Sequence, residues 1–260
     1  MLAILAACSS GGGSSSIVPQ AASHALPTAL RGQTYQALGV HYDLNAAPGF
    51  SGAGPATVTT SASGTSFQLS VNGVVDSGAQ VIFNQSQTLP PPGSSVSGTL
   101  NWPTQNASLS HMAFGEWNTN TTGLQNSPVG GFFAFGNATL GTAIPTTGTA
   151  TYAGRWQGLS NGIAFATRID GPITGTALFT NRTVGLSALD STGLLRFAGT
   201  LSYAAGVNSL SGPIANGTGS LTGSATAQFF GPVAQELGGV FRLTQGSGTP
   251  QLIGSFGMKQ

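Results

Sequence analysis

The sequence predicts an all-β protein, with an N-terminal β domain followed by a C-terminal eight-stranded antiparallel β-barrel. Composition is the first reason. Of 260 residues, 40 are Gly and 14 are Pro, and only 5% are charged, against about 25% in a typical soluble domain. Small residues and hydroxyls with few Lys or Glu favour strands joined by tight turns. The second reason is patterning: short alternating segments are bounded by Gly, Pro, Asn and Asp along the whole chain. The third is that no segment carries an apolar stripe at helical spacing over a normal helix length.

The chain opens Met-Leu-Ala-Ile-Leu-Ala-Ala-Cys8, and Leu5-Ala6-Ala7-Cys8 resembles the lipobox of bacterial lipoproteins. Small residues before the Cys suit a signal peptidase, after which Cys8 carries the lipid. Only seven residues precede Cys8, fewer than a basic region plus an apolar core of about 7–15 residues requires. The expected true start therefore lies upstream, and residues 1–8 read as a truncated signal and lipobox. Residues 9–20, rich in Ser and Gly, read as a flexible tether. Cys8 is the only Cys, so acylation consumes the one thiol and no disulfide is expected. Ser9, in place of Asp after the Cys, directs such lipoproteins to the outer membrane. No apolar run approaches the roughly 18–20 residues of a membrane-spanning helix, so the expected state is anchored rather than spanning.

Residues 21–147 form the first β domain. Its expected strands are Thr34–Tyr42, Ala56–Ser61, Ser66–Val71, Gln80–Asn84, Ser97–Trp102, Leu109–Trp117 and Gly131–Phe135. Asn72-Gly73 suits a two-residue hairpin turn, and Pro90-Pro91-Pro92-Gly93 marks a loop, because consecutive prolines cannot sit in a central strand.

Residues 148–260 form the second unit, where alternation is cleaner. Ala150, Tyr152, Gly154 and Trp156 share one face, as do Leu195, Phe197, Gly199, Leu201 and Tyr203. Leu221, Gly223, Ala225, Ala227 and Phe229 repeat the pattern, then Phe241 with Leu243, and Leu252, Gly254 and Phe256. Mixing Gly or Ala with aromatics on one face is what the narrow interior of an eight-stranded barrel requires. At about 8–12 residues per strand and turn, roughly eight strands fit. Closure also removes edges that such weakly charged strands leave unprotected. On pattern alone, a sandwich stays open as the alternative.

Three stretches carry a family resemblance. Leu109-Ser-His-Met-Ala-Phe-Gly-Glu-Trp117 is similar to a handle-domain strand of the transferrin-binding protein B family of surface lipoproteins. Gly131-Phe-Phe-Ala-Phe-Gly136, with Ile144–Gly154 behind it, looks like the start of the family's barrel. Gln228-Phe-Phe-Gly-Pro-Val-Ala-Gln-Glu-Leu-Gly-Gly-Val-Phe241, then Ile253-Gly-Ser-Phe-Gly-Met-Lys259, resembles its closing strands. In the last motif Phe229 and Phe241 are expected to cap two strands, with one helical turn over Pro232–Glu236. Gly238-Gly239 is expected to enter the next strand through a backbone conformation that glycine alone tolerates.

The resemblance implies one handle-plus-barrel lobe, displayed on the cell surface by a lipid anchor in the outer membrane. Single-lobe relatives include haem-binding hemophilins and proteins that bind host complement regulators or polysaccharide. The implied function is a binding module for iron or haem acquisition, capturing a host or environmental protein or haem. A surface-lipoprotein translocator and a TonB-dependent receptor are the implied partners. The competing reading is a host-factor-binding or structural lipoprotein with no part in nutrient uptake.

Other chemistries lack residues. Seven Lys+Arg against six Asp+Glu give a net charge of +1, with no cationic cluster to neutralise phosphates, so nucleic acid is excluded as a partner. His24, His41 and His111 are the three histidines, and none has zinc-site spacing. Gly158-Leu-Ser-Asn-Gly162 fits the nucleophile pattern Gly-x-Ser-x-Gly, but that elbow needs a strand-to-helix turn and a partner His, whereas Asn161-Gly162 reads as a hairpin turn. Asp43, Asp76, Asp170 and Asp190 sit at apparent turns. Glu116 and His111, five apart, would face opposite sides of a strand. No catalytic residues and no enzyme activity are expected. The ligand candidate is His111, flanked by Met112, Phe114 and Trp117: an imidazole beside sulfur and aromatics suits haem iron. His41, beside Tyr42, is the weaker second. No other metal or cofactor is implied.

Overall fold

A computed structural model of the chain describes residues 26–43, 56–60, 62, 66–71, 81–84, 99–101, 108–118, 129–161, 166–246 and 249–260. The first domain contains β1 (Thr34–Asp43), β2 (Ala56–Thr60), β3 (Ser66–Val71), β4 (Val81–Asn84), β5 (Thr99–Asn101), β6 (Met112–Asn118) and β7 (Val129–Gly136). They form one antiparallel sheet in the order β4-β3-β2-β1-β7-β6-β5. The first half of β1 pairs with β2 and its second half with β7, so this strand joins the two parts of the sheet. Asn72-Gly73, Asp76 and the Pro90–Gly93 run lie outside the described residues.

Eight strands then close a barrel: β8 (Thr149–Asn161), β9 (Ala166–Leu178), β10 (Thr183–Leu189), β11 (Leu195–Ser202), β12 (Leu210–Ala215), β13 (Thr222–Phe230), β14 (Glu236–Gln245) and β15 (Thr249–Lys259). Each pairs antiparallel with its chain neighbours, and β15 pairs with β8 to complete the cylinder. This settles barrel against sandwich.

The inward faces are those the alternation assigns. Tyr152, Trp156, Phe197, Leu201, Tyr203, Ala225, Ala227, Phe229, Phe241, Leu243, Leu252 and Phe256 all belong to one buried interior cluster. Its aromatics form two tiers. Near one mouth, Phe229 contacts Tyr152, Phe179 and Tyr203 at centroid distances of 6.2, 6.0 and 5.6 Å. Deeper, Trp156 meets Phe197 and Phe241 edge-on at 5.7 and 5.8 Å, and those two rings lie 4.3 Å apart. Edge-on pairs of this kind add to the gain from burial alone. Gly254 makes the tier fit: a Cβ there would come within 2.5 Å of the Phe241 ring.

Several local expectations are corrected. Phe229 and Phe241 do not cap strands; they plug the interior. Residues 231–235 form an irregular turn rather than a helical one. The left-handed positions in that motif are Gly231 (φ 85°) and Ala234 (φ 62°), not Gly238 or Gly239. Gly238 and Gly239 lie within β14, where they leave room for neighbours: a Cβ on Gly239 would overlap the Thr226 carbonyl. Asp170 is not at a turn but inside β9, opposite Gln157, where it pairs with Arg155 at 2.7 Å. His111 precedes β6, so strand alternation does not relate it to Glu116.

Alternation gives no sign of a second buried layer outside the barrel. Strands β1, β6 and β7 lie against the outer wall made by β14, β15 and β8. Val40, Phe132, Leu159, Val240 and Ile253 form one buried cluster there, and Leu109, Met112, Phe114, Ala134 and Phe230 another. From Glu236 to Phe241, β14 is therefore buried on both faces.

Candidate functional site

The chain has two ends, set by how the sheet meets the barrel. At the near end β8, β10, β12 and β14 begin. The 3-10 turn Thr28–Leu30 lies there too, where the Asn137 side-chain amide donates to the Ala29 carbonyl at 2.9 Å. At the far end are the turns after β10 and β12, and the C-terminal ends of β1 and β6.

Polar side-chain contacts fix the sheet to the barrel, among them the Lys259 Nζ donating to the Ser108 carbonyl at 3.1 Å. The strongest is at Glu236, only 3% exposed. Its Oε1 accepts from the Ser110 backbone N–H at 2.6 Å, and its Oε2 from those of His111 and Met112, both at 2.9 Å. A carboxylate buried without a cation is tolerated because charge-assisted bonds to backbone N–H groups replace its hydration. Farther along β6, the Arg168 Nε donates to the buried carboxylate of Glu116 at 3.0 Å, and Arg168 Nη2 adds a second bond to the same oxygen. Between them the Ser255 Oγ donates to the Gly115 carbonyl at 3.1 Å. Met112 packs so closely over Gly238 that a Cβ there would overlap its sulfur and methyl.

Of the candidate ligand residues, this junction takes up Met112. Met112 is 0% exposed, held in the apolar layer between the two domains. Trp117 lies on β6 between Leu100 and Gly131, and His41 on β1 opposite Gly131; their side chains lie outside the described residues, as do Cys8 and His24. His111 is half-buried, its backbone held by Glu236 and by Asn137, whose N–H donates to the His111 carbonyl at 2.8 Å. Its ring lies against Gly231, where a Cβ would come within 2.8 Å of Cδ2. The structure thus separates Met112 from any open slot beside His111. Among the described residues there is no group of three or more His, Cys, Asp or Glu able to hold a metal. Residues Gly158–Asn161 run straight along β8 with no elbow, and Gly162 lies outside the described residues.

At the far end one described turn is held by a dense set of hydrogen bonds. Asp190, which follows β10, holds its turn closed. Its Oδ1 accepts from the Thr192 N–H, the Thr192 hydroxyl and the Leu194 N–H at 2.8, 2.6 and 3.0 Å, and its Oδ2 from Arg196 Nε at 2.8 Å. The Thr192 hydroxyl leads the causes that hold this carboxyl down at about 2. Leu194, at the tip, is 58% exposed, an apolar side chain on a turn whose backbone Asp190 holds. Because the folded group titrates below its ordinary value, its contribution to stability is full above about pH 4 and fades as pH falls towards 2. An Asp190→Asn variant is expected to be less stable at neutral pH and to show a flatter acid limb between pH 4 and 2 in melting curves.

Comparison with known proteins agrees with this geometry. Residues 144–260 match the family model for the C-lobe and N-lobe β-barrels of Tf-binding protein B. No curated protein matches the sequence. Among solved structures, a transferrin binding protein B variant from Haemophilus parasuis overlays with a TM-score of 0.56 at 17% identity, over 88% of this chain and 45% of that one. The protein from serogroup B Neisseria meningitidis gives 0.55 at 15%, over 87% and 43%. A variant from Actinobacillus pleuropneumoniae gives 0.53 at 14%, over 86% and 98%. The chain therefore spans less than half the length of the first two proteins. With the seven-stranded sheet locked to its wall, the barrel of residues 144–260 is similar to the barrels of transferrin binding protein B, and the described chain has the fold of one such lobe.

Proposed function

We propose that this chain is a surface-displayed outer-membrane lipoprotein, anchored through Cys8, that captures a host or environmental protein for iron acquisition. The single observation that carries the reading is the locked junction: Glu236 and Arg168 tie the β6 side of the sheet to the barrel wall, so the two β units are presented together to a partner. Such preorganisation lowers the ordering cost of binding a large partner. The fold shared with transferrin binding proteins supports a protein cargo, and function on such a scaffold lies in its rims rather than in the barrel itself. A surface-lipoprotein translocator and a TonB-dependent receptor would complete the route.

Acyl-free full-length chain on a resin, offered serum, transferrin and haemoglobin, is expected to retain one of these proteins specifically. Leu194→Asp should weaken that retention. No specific retention from any bait, or retention indifferent to every far-end substitution, overturns the reading.

Haem is the small cargo within the same proposal, and His111 would supply the imidazole that holds its iron. This is the one histidine whose side chain is placed among the described residues. A hemin titration should give a Soret shift that His111→Ala abolishes. A wild-type spectrum no different from free hemin removes haem from the proposal. Growth on iron held by the captured protein separates uptake from a purely host-factor-binding role.

A further inference from the structure

We propose that the near end of the barrel docks on the anionic surface of the membrane that carries the anchor. The inference rests on the lipid-anchor reading. Its first support is where the chain emerges. Residues 9–25 connect Cys8 to Leu26, which is buried beside the near end, its carbonyl accepting from Arg31 Nε at 2.9 Å. A lipid on Cys8 therefore pulls on this end, within reach of a short tether.

The second support is the surface found there. Large exposed hydrophobics among the described residues are Leu140, Leu178, Leu194, Val207 and Val233, and all but Leu194 lie at the near end. Leu140, Val207 and Val233 sit on three connections that are bonded into one platform. The Asn208 amide donates to the carbonyls of Thr139 and Phe229, both at 2.8 Å, while its oxygen accepts from the Phe229 N–H at 2.8 Å. The Thr139 hydroxyl donates to the Gly231 carbonyl at 2.6 Å. Gly141 lies so near Gly206 that a Cβ there would overlap its carbonyl. These apolar tips cannot fold inward, because the mouth beneath them is filled by Tyr152, Phe179, Tyr203 and Phe229.

The third support is charge. Arg182 and Lys259 are exposed at this end and Arg31 is half-buried, whereas the only acid described there, Glu236, is buried against backbone N–H groups. The acids described elsewhere, Asp43, Glu116, Asp170 and Asp190, lie towards the far end. Apolar tips flanked by Arg182 and Lys259, with no exposed acidic side chain among the described residues at this end, are complementary to a layer of lipid phosphates. Docking this way points the far end outward.

The test uses the full chain with Cys8→Ser, so that no acyl group contributes, and vesicles of phosphatidylglycerol with phosphatidylcholine or of phosphatidylcholine alone. The expected result is flotation with the anionic vesicles that weakens as salt rises. The triple variant Leu140→Ser, Val207→Ser, Val233→Ser and the double variant Arg182→Glu, Lys259→Glu should each reduce partitioning by at least about tenfold. Leu194→Ser should leave it unchanged, and circular dichroism should show each variant folded, since every altered side chain is exposed. No flotation with anionic vesicles, or equal loss in Leu194→Ser, overturns the proposal. So does a dimer, seen by light scattering, that the triple variant dissolves, because the patch then serves a second copy of this chain. The intact mass of wild-type protein from cell envelopes reports acylation of Cys8 separately, so failure of the anchor reading is distinguishable from failure of the docking surface.

Discussion

Glu236→Ala is expected to cost about 3–5 kcal/mol, because three backbone donors lose a charged acceptor in a buried site. The carboxylate's partners are the N–H groups of Ser110, His111 and Met112. The loss should fall mainly on the junction. The barrel interior is a separate cluster from the layer that Met112 and Phe114 share with the outer wall, so the barrel keeps its own packing while the sheet loosens. Hydrogen exchange makes this visible: the amides of residues 110–112 should lose protection, while those of β10 to β13 keep theirs. Glu236→Gln is the sharper control. It preserves volume but supplies one acceptor oxygen and turns an NH2 towards a backbone N–H, so it should lie nearer to Ala than to wild type. Wild-type exchange in the Gln variant would mean that the charge is not what holds the segment.

The barrel was legible because its signal is local. A period of two survives in Leu195, Phe197, Leu201 and Tyr203, and in Ala225, Ala227 and Phe229, regardless of what the rest of the chain does. The layer outside it was not. Val240 and Ile253 alternate with inward residues and so read as solvent-facing, yet both are buried because β1 and β7 cover them. Their apolar character was the available hint, since a strand with one wet face seldom places Val and Ile there. Asp170 misled for a related reason. Its neighbour Gly171 suggested a turn, but that glycine is required by close approach of the next strand, where a Cβ would lie 2.0 Å from the Leu189 carbonyl.

Glu236 carries little local signal at all, because its partners are 124 to 126 residues away in the chain. One clue existed: the one charged residue of the stretch Pro232–Phe241, in a chain with only six acids, is placed at a cost and needs partners. The same reasoning bears on the ligand candidates. Met112 beside His111 suggested a metal slot, but a methionine between a loop and a strand is also an adaptable filler. Here it fills the space that Gly238 leaves.

Trp156→Ala is the other substitution expected to have a large effect. The only Cys is Cys8, ahead of the tether, so no disulfide staples the barrel and its stability rests on what fills it. Trp156 fills more of it than any other fully buried residue, and its Nε1 also donates to the Leu189 carbonyl at 2.7 Å. Truncation should cost about 3–5 kcal/mol through lost burial and the cavity left behind. In a chain of this size that lowers the melting temperature by roughly 10 °C. Trp156→Phe keeps most of the contact with Phe197 and Phe241 but leaves the carbonyl without its indole partner, which costs about 1–2 kcal/mol. The order wild type, Phe, Ala in urea midpoints is the result that supports the tier; equal midpoints for Phe and Ala would place the stability in the hydrogen bond instead. Trp156 lies inside the wall and Glu236 on its outer side, with no shared partner, so their costs should add to within about 0.5 kcal/mol in the double variant. A marked departure from additivity would mean that the two sites are coupled through the barrel wall.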